Sequence, residues 1–185
     1  MNQTKEIIHN PLGKHLSAML LRIWLGMRAV QAGVEKFAGK DLTEVPSIID
    51  GKPNDSGLME VVEVKVYSWN AYKGIPEALS GKFYREPLLP DFSLIIYNWI
   101  LGPAFIILGM ALLLGIASRL SLFAMGLLYT SLTFGLILLN QSSGIAWLGV
   151  HLFLIVMMLN LADYNRYELG NLLADRLKLS FLKQK

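Results

Sequence analysis

"LRIWLGMRAVQAGVEKF", Leu21 to Phe37, is apolar enough to enter a bilayer and yet carries Arg22, Arg28, Glu35 and Lys36. An arginine near the middle of a lipid-exposed helix costs roughly 2.5–3.5 kcal/mol on the insertion scale. Such a helix needs partners or water for its charges. The rest of the chain favours the membrane: of 185 residues, 54% are hydrophobic and 17% charged, too apolar for an ordinary soluble domain. Residues 92–115, 119–140 and 145–162 form three further apolar runs, each near the ~20 residues that span ~30 Å of hydrocarbon. With 16–37 as the first span, the sequence predicts an all-α integral membrane protein, a four-transmembrane-helix bundle that forms one domain over residues 1–185.

Charge placement orients this bundle. Lys5 and Lys14 precede the first span, Arg119 lies in the tight connection between the second and third, and Arg166, Arg176, Lys178, Lys183 and Lys185 follow the fourth. By the positive-inside rule those three segments share the cytoplasmic side. The extracytoplasmic loop 38–91, about 50 residues long between helices 1 and 2, holds six basic residues against nine acids and belongs outside. Both termini are thus expected in the cytoplasm. The basic residues form no continuous patch, so the net charge of +3 is not a nucleic-acid footprint; the tail 163–185 is expected to touch anionic lipid. The absence of cysteine excludes disulfide frameworks, thiolate metal sites and thiol–disulfide exchange. The arginines that break the first apolar run, with no clear cleavage site after it, argue against a cleaved signal peptide.

Within the loop, "GKPNDSG" (Gly51–Gly57) marks a turn, and the alternation in "VVEVKVY" (Val61–Tyr67) suggests a short strand or extended edge, with a helix as the alternative. "GIPEALSGKF" (Gly74–Phe83) reads as a short proline-started helix closed by Gly81. A loop of this length is either functional or a plain cap. Pro11 and Gly13 argue against a continuous helix through the polar arm Met1–His15. Pro103, in the second span, removes one backbone donor and predicts a kink that opens a cavity or accommodates packing. After the fourth span, Asn165–Leu182 reads as a C-terminal amphipathic helix on the membrane interface or on a partner.

At ~100° per residue the first helix has two charged stripes. One holds Arg22, Gly26, Ala29, Gly33 and Lys36, the other Trp24, Arg28, Gln31 and Glu35, roughly opposite. One stripe is expected to pack inward and the other to meet a partner subunit, the loop or a water-filled groove. At ~1.5 Å per residue Arg28 and His151 fall within ~3 Å of one level, toward the outside. Gln31, Tyr97, Asn98, Thr130, Thr133 and Trp147 map to the same outer half, which outlines a polar pocket. Each has an alternative reading: the threonines bond their own helix carbonyls, Tyr97 and Trp147 sit in an interfacial belt, and Glu35 with Lys36 mark a span end. A haem held between two histidines of one layer lacks its second ligand, since His9 and His15 belong at the other end. No carboxylate-rich metal site is evident. A neutral imidazole bonding a quinone carbonyl or moving a proton fits His151.

The same stretch, with Arg22, Gly26, Gly33 and Lys36, resembles the first helix of the DoxX/DoxD family of small bacterial and archaeal membrane proteins. "LGMALLLGIASRLSLFAMGLL" (Leu108–Leu128), with Arg119 in its turn, and "HLFLIVMMLNL" (His151–Leu161) resemble later parts of that pattern. The glutamate that many relatives carry in the second span is replaced here by "NWILGPAFIILG". The resemblance implies a four-helix bundle in the bacterial or archaeal cytoplasmic (inner) membrane. It also implies kinship with the membrane subunit of thiosulfate:quinone oxidoreductase. The leading expectation is a quinone-linked subunit of a membrane redox complex. His151 and Arg28 are its candidate catalytic residues, Tyr97, Trp99, Gln31 and Trp147 would hold quinone, and Arg22 with Lys36 would gather an anionic donor such as thiosulfate. Quinone is the one cofactor expected, with no haem, iron–sulfur cluster or metal of the chain's own. A protein partner subunit or homo-oligomer in the lipid bilayer is expected too, and no nucleic acid. The rival expectations are a non-catalytic structural subunit of a larger complex and a small-anion carrier.

Overall fold

The computed structural model describes residues 11–49, 52–53 and 57–165. It is mostly helical. Helix α1 (Pro11–Val34) ends in a single 3-10 turn, Glu35–Phe37, and leads into a β-ribbon of β1 (Ala38–Pro46), β2 (Ile48–Ile49), β3 (Lys52–Pro53) and β4 (Met59–Tyr67). A short α2 (Glu77–Phe83) precedes three long helices, α3 (Asp91–Leu114), α4 (Ser118–Leu138) and α5 (Ser142–Asn160). These last three, of 24, 21 and 19 residues, are long and apolar enough to cross a membrane. Their exposed Ile95, Ile100, Ile107, Phe123, Ile137 and Phe153 would suit a lipid bilayer. Helix α1 is as long as α3 but carries Lys14, Arg22 and Arg28.

The four long helices share one core, in which Leu25, Ala29, Leu101, Phe105, Leu112, Leu122, Met125, Ile155 and Met158 meet. Its closest contact joins α1 to α3 through glycine. A Cβ on Gly33 would stand 2.8 Å from the Gly102 carbonyl oxygen, and one on Gly109 would stand 2.9 Å from that of Gly26. The seven-residue spacing on both helices brings the pairs into register on one face. The stripe of Arg22, Gly26, Ala29 and Gly33 therefore packs inward.

Proline decides how the loop joins the bundle. Pro103 has no N–H to give the Trp99 carbonyl four residues earlier. The Tyr72 hydroxyl takes that place: it donates to Trp99 O and accepts from the Gly102 N–H, each at 3.1 Å. Gly102 makes room, since a Cβ there would stand 2.6 Å from the Tyr72 ring. The sequence predicted a kink opening a cavity or accommodating packing; the break here receives a tyrosine from the loop. Nearby, the Lys73 N–H bonds Lys36 O at 2.8 Å, and the Ile75 N–H bonds Asn98 Oδ1 at 3.0 Å. Gly74 lies so close to Asn98 that a Cβ would stand 2.1 Å from its carbonyl oxygen.

The strand reading of Val61–Tyr67 holds and extends to Met59. Its antiparallel partner β1 was not expected, because "AGKDLTEVP" lacks apolar alternation. Charge pairing supplies what alternation does not. The register sets Lys40 opposite Lys65, a repulsive pair, and each turns to its own acid: Lys40 to Glu63 at 2.5 Å, Lys65 to Glu35 at 2.6 Å. The second pair ties the ribbon to the end of α1.

Two local expectations need correction. Helix α1 begins at Pro11 and runs through Gly13, since proline in the first turn forgoes a hydrogen bond that no residue there makes. Gly81 lies inside α2 and does not close it. The polar arm before Pro11 and the amphipathic tail helix after Asn165 fall outside the described residues.

Tyr72→Phe removes the bridge across the Pro103 break. It should cost ~1–2 kcal/mol, which lowers the thermal midpoint in detergent by about 2–8 °C for a chain of this size. Gly33→Leu forces the α1 and α3 backbones apart and should abolish the folded monomer on size-exclusion chromatography.

Candidate functional site

A cavity of about 1110 Å³ lies at the loop end of the bundle, slightly above the ~300–1,000 Å³ usual for small-molecule sites. Its walls come from the last turns of α1, the first half of α3, the second half of α4 and the first half of α5, with Glu77, Leu79 and Phe83 of α2 completing them. Leu94, Leu101, Phe105, Leu132 and Leu148 make most of it apolar, while Arg28, Lys36, Tyr97, Tyr129 and His151 supply polar groups. Leu127, Phe134 and Trp147 both line it and are more than half exposed, so the cavity opens to the surface of the bundle.

His151 is positioned by its own helix and by stacking. Its Nδ1 bonds Trp147 O at 2.8 Å, the Tyr129 ring lies 5.4 Å away at 29°, and Phe105 packs behind Tyr129 at 5.5 Å. Arg28 reaches the same cavity from α1, with its Nη1 on Gln31 Oε1 at 2.6 Å. No carboxylate pairs with Arg28 or Lys36 among the described residues. The two lining acids are already paired, Glu35 with Lys65 and Glu77 with Lys73, which also lines the cavity.

The residues singled out in the sequence thus divide. His151, Arg28, Tyr97, Trp147 and Lys36 line one cavity. Gln31 stands outside it and holds Arg28. Trp99 does not line it; at 75% exposed it points away from the bundle, because residues two apart on a helix lie ~200° around from each other and Leu101 takes the inward direction. Arg22 lies at the opposite end, ~21 Å along the helix from Lys36, so these two do not form a common anion site. Arg22 is 6% exposed and its Nη1 donates to Asn165 Oδ1 at 2.7 Å, while Asn165 Nδ2 donates to Ser118 Oγ at 3.3 Å. Around it Lys14 bonds the Tyr164 hydroxyl at 3.1 Å, His15 meets the Tyr164 carbonyl and Arg119 pairs with Asp163. This knot fastens the end of α5 to α1 and α4.

Thr130 and Thr133 bond their own helix carbonyls at Gly126 and Tyr129, each at 2.8 Å. Tyr129 was missed in the sequence. It follows the buried Leu122 and Met125 by seven and four residues, the spacing of one helix face, and that periodicity places a polar-tipped ring inside the bundle. The α2 cap was also missed as part of the site. Its Phe83 rests on Gly135, where a Cβ would stand 3.1 Å from the ring, and Lys73 binds Glu77 at 2.5 Å. Lys73, by hydrogen bond and then by charge, holds the Glu77 carboxyl below its ordinary value of 4.5. Among the described residues no group of His, Asp and Glu is arranged to hold a metal ion.

No protein-family model, curated protein or solved structure matches this chain. The reading of the site rests on its own geometry.

The two arginines should separate by role. Arg22→Ala strips a buried knot of its donor and should cost ~1–3 kcal/mol; Arg28→Ala, at a half-buried position beside a glutamine, should change the thermal midpoint little. The Glu77 carboxyl, lowered in the fold, supports the cap at pH above 4.5 and loses that support as pH falls through the lowered value. A fluorine-labelled Phe83 should show a change in line shape only on the acid side of 4.5, and Glu77→Gln should remove that transition.

Proposed function

We propose that the chain is a four-helix protein of the bacterial or archaeal cytoplasmic membrane, with α1 as its fourth span and both termini cytoplasmic, and that it holds a quinone in its outer cavity. The observation that carries this reading is the cavity itself: mostly apolar walls, exposed apolar side chains at its edge, and Arg28, Tyr129 and His151 all on its lining. Arg28 donates to a ligand oxygen, His151 and Tyr129 hold its edge, and Tyr97 and Trp147 offer aromatic walls. The chain acts as the quinone-linked subunit of a membrane redox complex, in keeping with its resemblance to the DoxX/DoxD proteins. A partner chain supplies the redox centre that receives electrons from the donor, thiosulfate or another sulfur compound. Lys36, half-buried at the outer side of the cavity, is the chain's remaining candidate for meeting an anionic donor, since Arg22 is committed to the opposite end.

The reading as a non-catalytic assembly subunit draws support from the exposed Trp24, Trp69 and Trp99, which would suit a protein partner. One preparation separates the two. The protein is purified gently from its native membrane, the co-purifying chains are identified by mass spectrometry, and bound quinone is extracted from the same sample. Stoichiometric quinone, counted as quinone plus quinol, that falls by at least tenfold in His151→Ala and Arg28→Ala, with partners retained, is the expected result. Stable partners with no quinone attributable to this chain would establish the assembly role.

A further inference from the structure

Two polar groups on the cavity wall are left available by the rest of the protein. Tyr129 is 5% exposed and His151 7%, and their stacked rings both line the cavity. The Trp147 carbonyl only accepts, so His151 Nδ1 carries the hydrogen that reaches it. In the neutral ring this makes Nε2 an acceptor, and no donor among the described residues meets it. The Tyr129 hydroxyl likewise makes no hydrogen bond among the described residues. Neither atom is sealed inside protein, so each reaches the cavity. A tyrosine O–H turns to donate to whatever oxygen is present, whereas Nε2 needs a donor from the ligand.

We infer, on the reading of this cavity as a quinone site, that it selects the reduced head group. A quinol O–H donates to His151 Nε2 while the Tyr129 hydroxyl donates to a ligand oxygen. The oxidised ring carries acceptor oxygens alone. It satisfies Tyr129 and Arg28 but sets its carbonyl, or nothing, against a buried acceptor. A site built to bond a substrate hydroxyl rejects the analogue lacking it much more strongly than an apolar pocket rejects a change of size. Arg28 does not reverse the preference, because its guanidinium donates to either form. A preference of about tenfold for the quinol places the midpoint of the bound two-electron couple about 30 mV above that of the free pool.

The test is equilibrium binding to the full-length protein in phospholipid nanodiscs under argon, with three probes that share a decyl tail. They are the quinol, the quinone and the quinol dimethyl ether, which is redox-inert and has no O–H. The quinol should bind at least tenfold more tightly than the other two. His151→Phe keeps a ring to stack on Tyr129 and removes the acceptor, and it should bring the three affinities together. Equal affinity for quinol and quinone in the unsubstituted protein overturns the selection and leaves the cavity a quinone site. Diether binding as tight as quinol binding overturns it as well, since the O–H would then play no part. Saturable binding of none of the three overturns the quinone reading itself, and the selection with it. The comparison in the unsubstituted protein decides the matter even if His151→Phe does not fold.

Discussion

Between α1 and α3 the backbones approach with nothing but hydrogen on the facing α-carbons of Gly26, Gly33, Gly102 and Gly109. Close approach of this kind gives dispersion contacts and tolerates no side chain in the seam. It also fixes the rotation of α1 about its axis. Once Gly26 and Gly33 face α3, Arg22 and Ala29 are carried into the core, and Trp24 and Gln31 are turned out. Arg28 lands between the two directions, half-buried and open to the space bounded by α4 and α5. The charged side chains of α1 are therefore placed by glycines, and the cavity receives Arg28 as a consequence of a packing constraint made elsewhere.

The loop is part of the bundle. A proline in a long helix leaves an unsatisfied carbonyl, and in an apolar setting such a group is costly. Water, a neighbouring helix or a side chain can meet it; here Tyr72 from the loop does so and accepts the Gly102 N–H in the same stroke. That insertion, with Gly74 pressed on Asn98, anchors the segment leading into α2. Helix α2 consequently lines the cavity, with the segment before it held by α3 and its Phe83 resting on α4.

Much of this was legible in the chain, for identifiable reasons. Apolar runs of the right length located α3, α4 and α5, since transfer into a low-dielectric layer depends on composition more than on tertiary detail. The two stripes of α1 followed from the helical period, and the glycine-bearing one is the stripe that packs. His151 and Arg28 shared a level by rise per residue, with Tyr97 and Trp147 in the same outer half, and all four line one cavity; Lys36, read from its stripe as a partner of Arg22, lines it as well. What failed depended on direction and on distant pairing. Trp99 and Leu101 differ by two residues and by most of a half-turn, and depth alone does not say which faces in. Strand β1 has no apolar signal of its own; its pairing with β4 sets Lys40 and Lys65 opposite each other, and their acids lie on other segments. Arg22 was assigned to the donor site from its stripe, yet a stripe spanning several turns joins two ends of a bundle without joining their chemistry.

The two arginines of α1 show how an unfavourable residue is retained in an apolar helix. A buried guanidinium has five donors in a rigid fork. Arg22 is enclosed in a knot of Asn165 and Ser118 that ties α1 to the start of α4 and the segment after α5, so its burial is offset by the order it imposes there. Among the described residues Arg28 has one hydrogen-bond partner, the neutral Gln31, and it lines an apolar-walled space together with Tyr129 and His151. Polar groups left open on the wall of one apolar cavity are costly to the fold on their own. On the proposed reading, a ligand whose oxygens and hydroxyls meet all three removes that cost on binding.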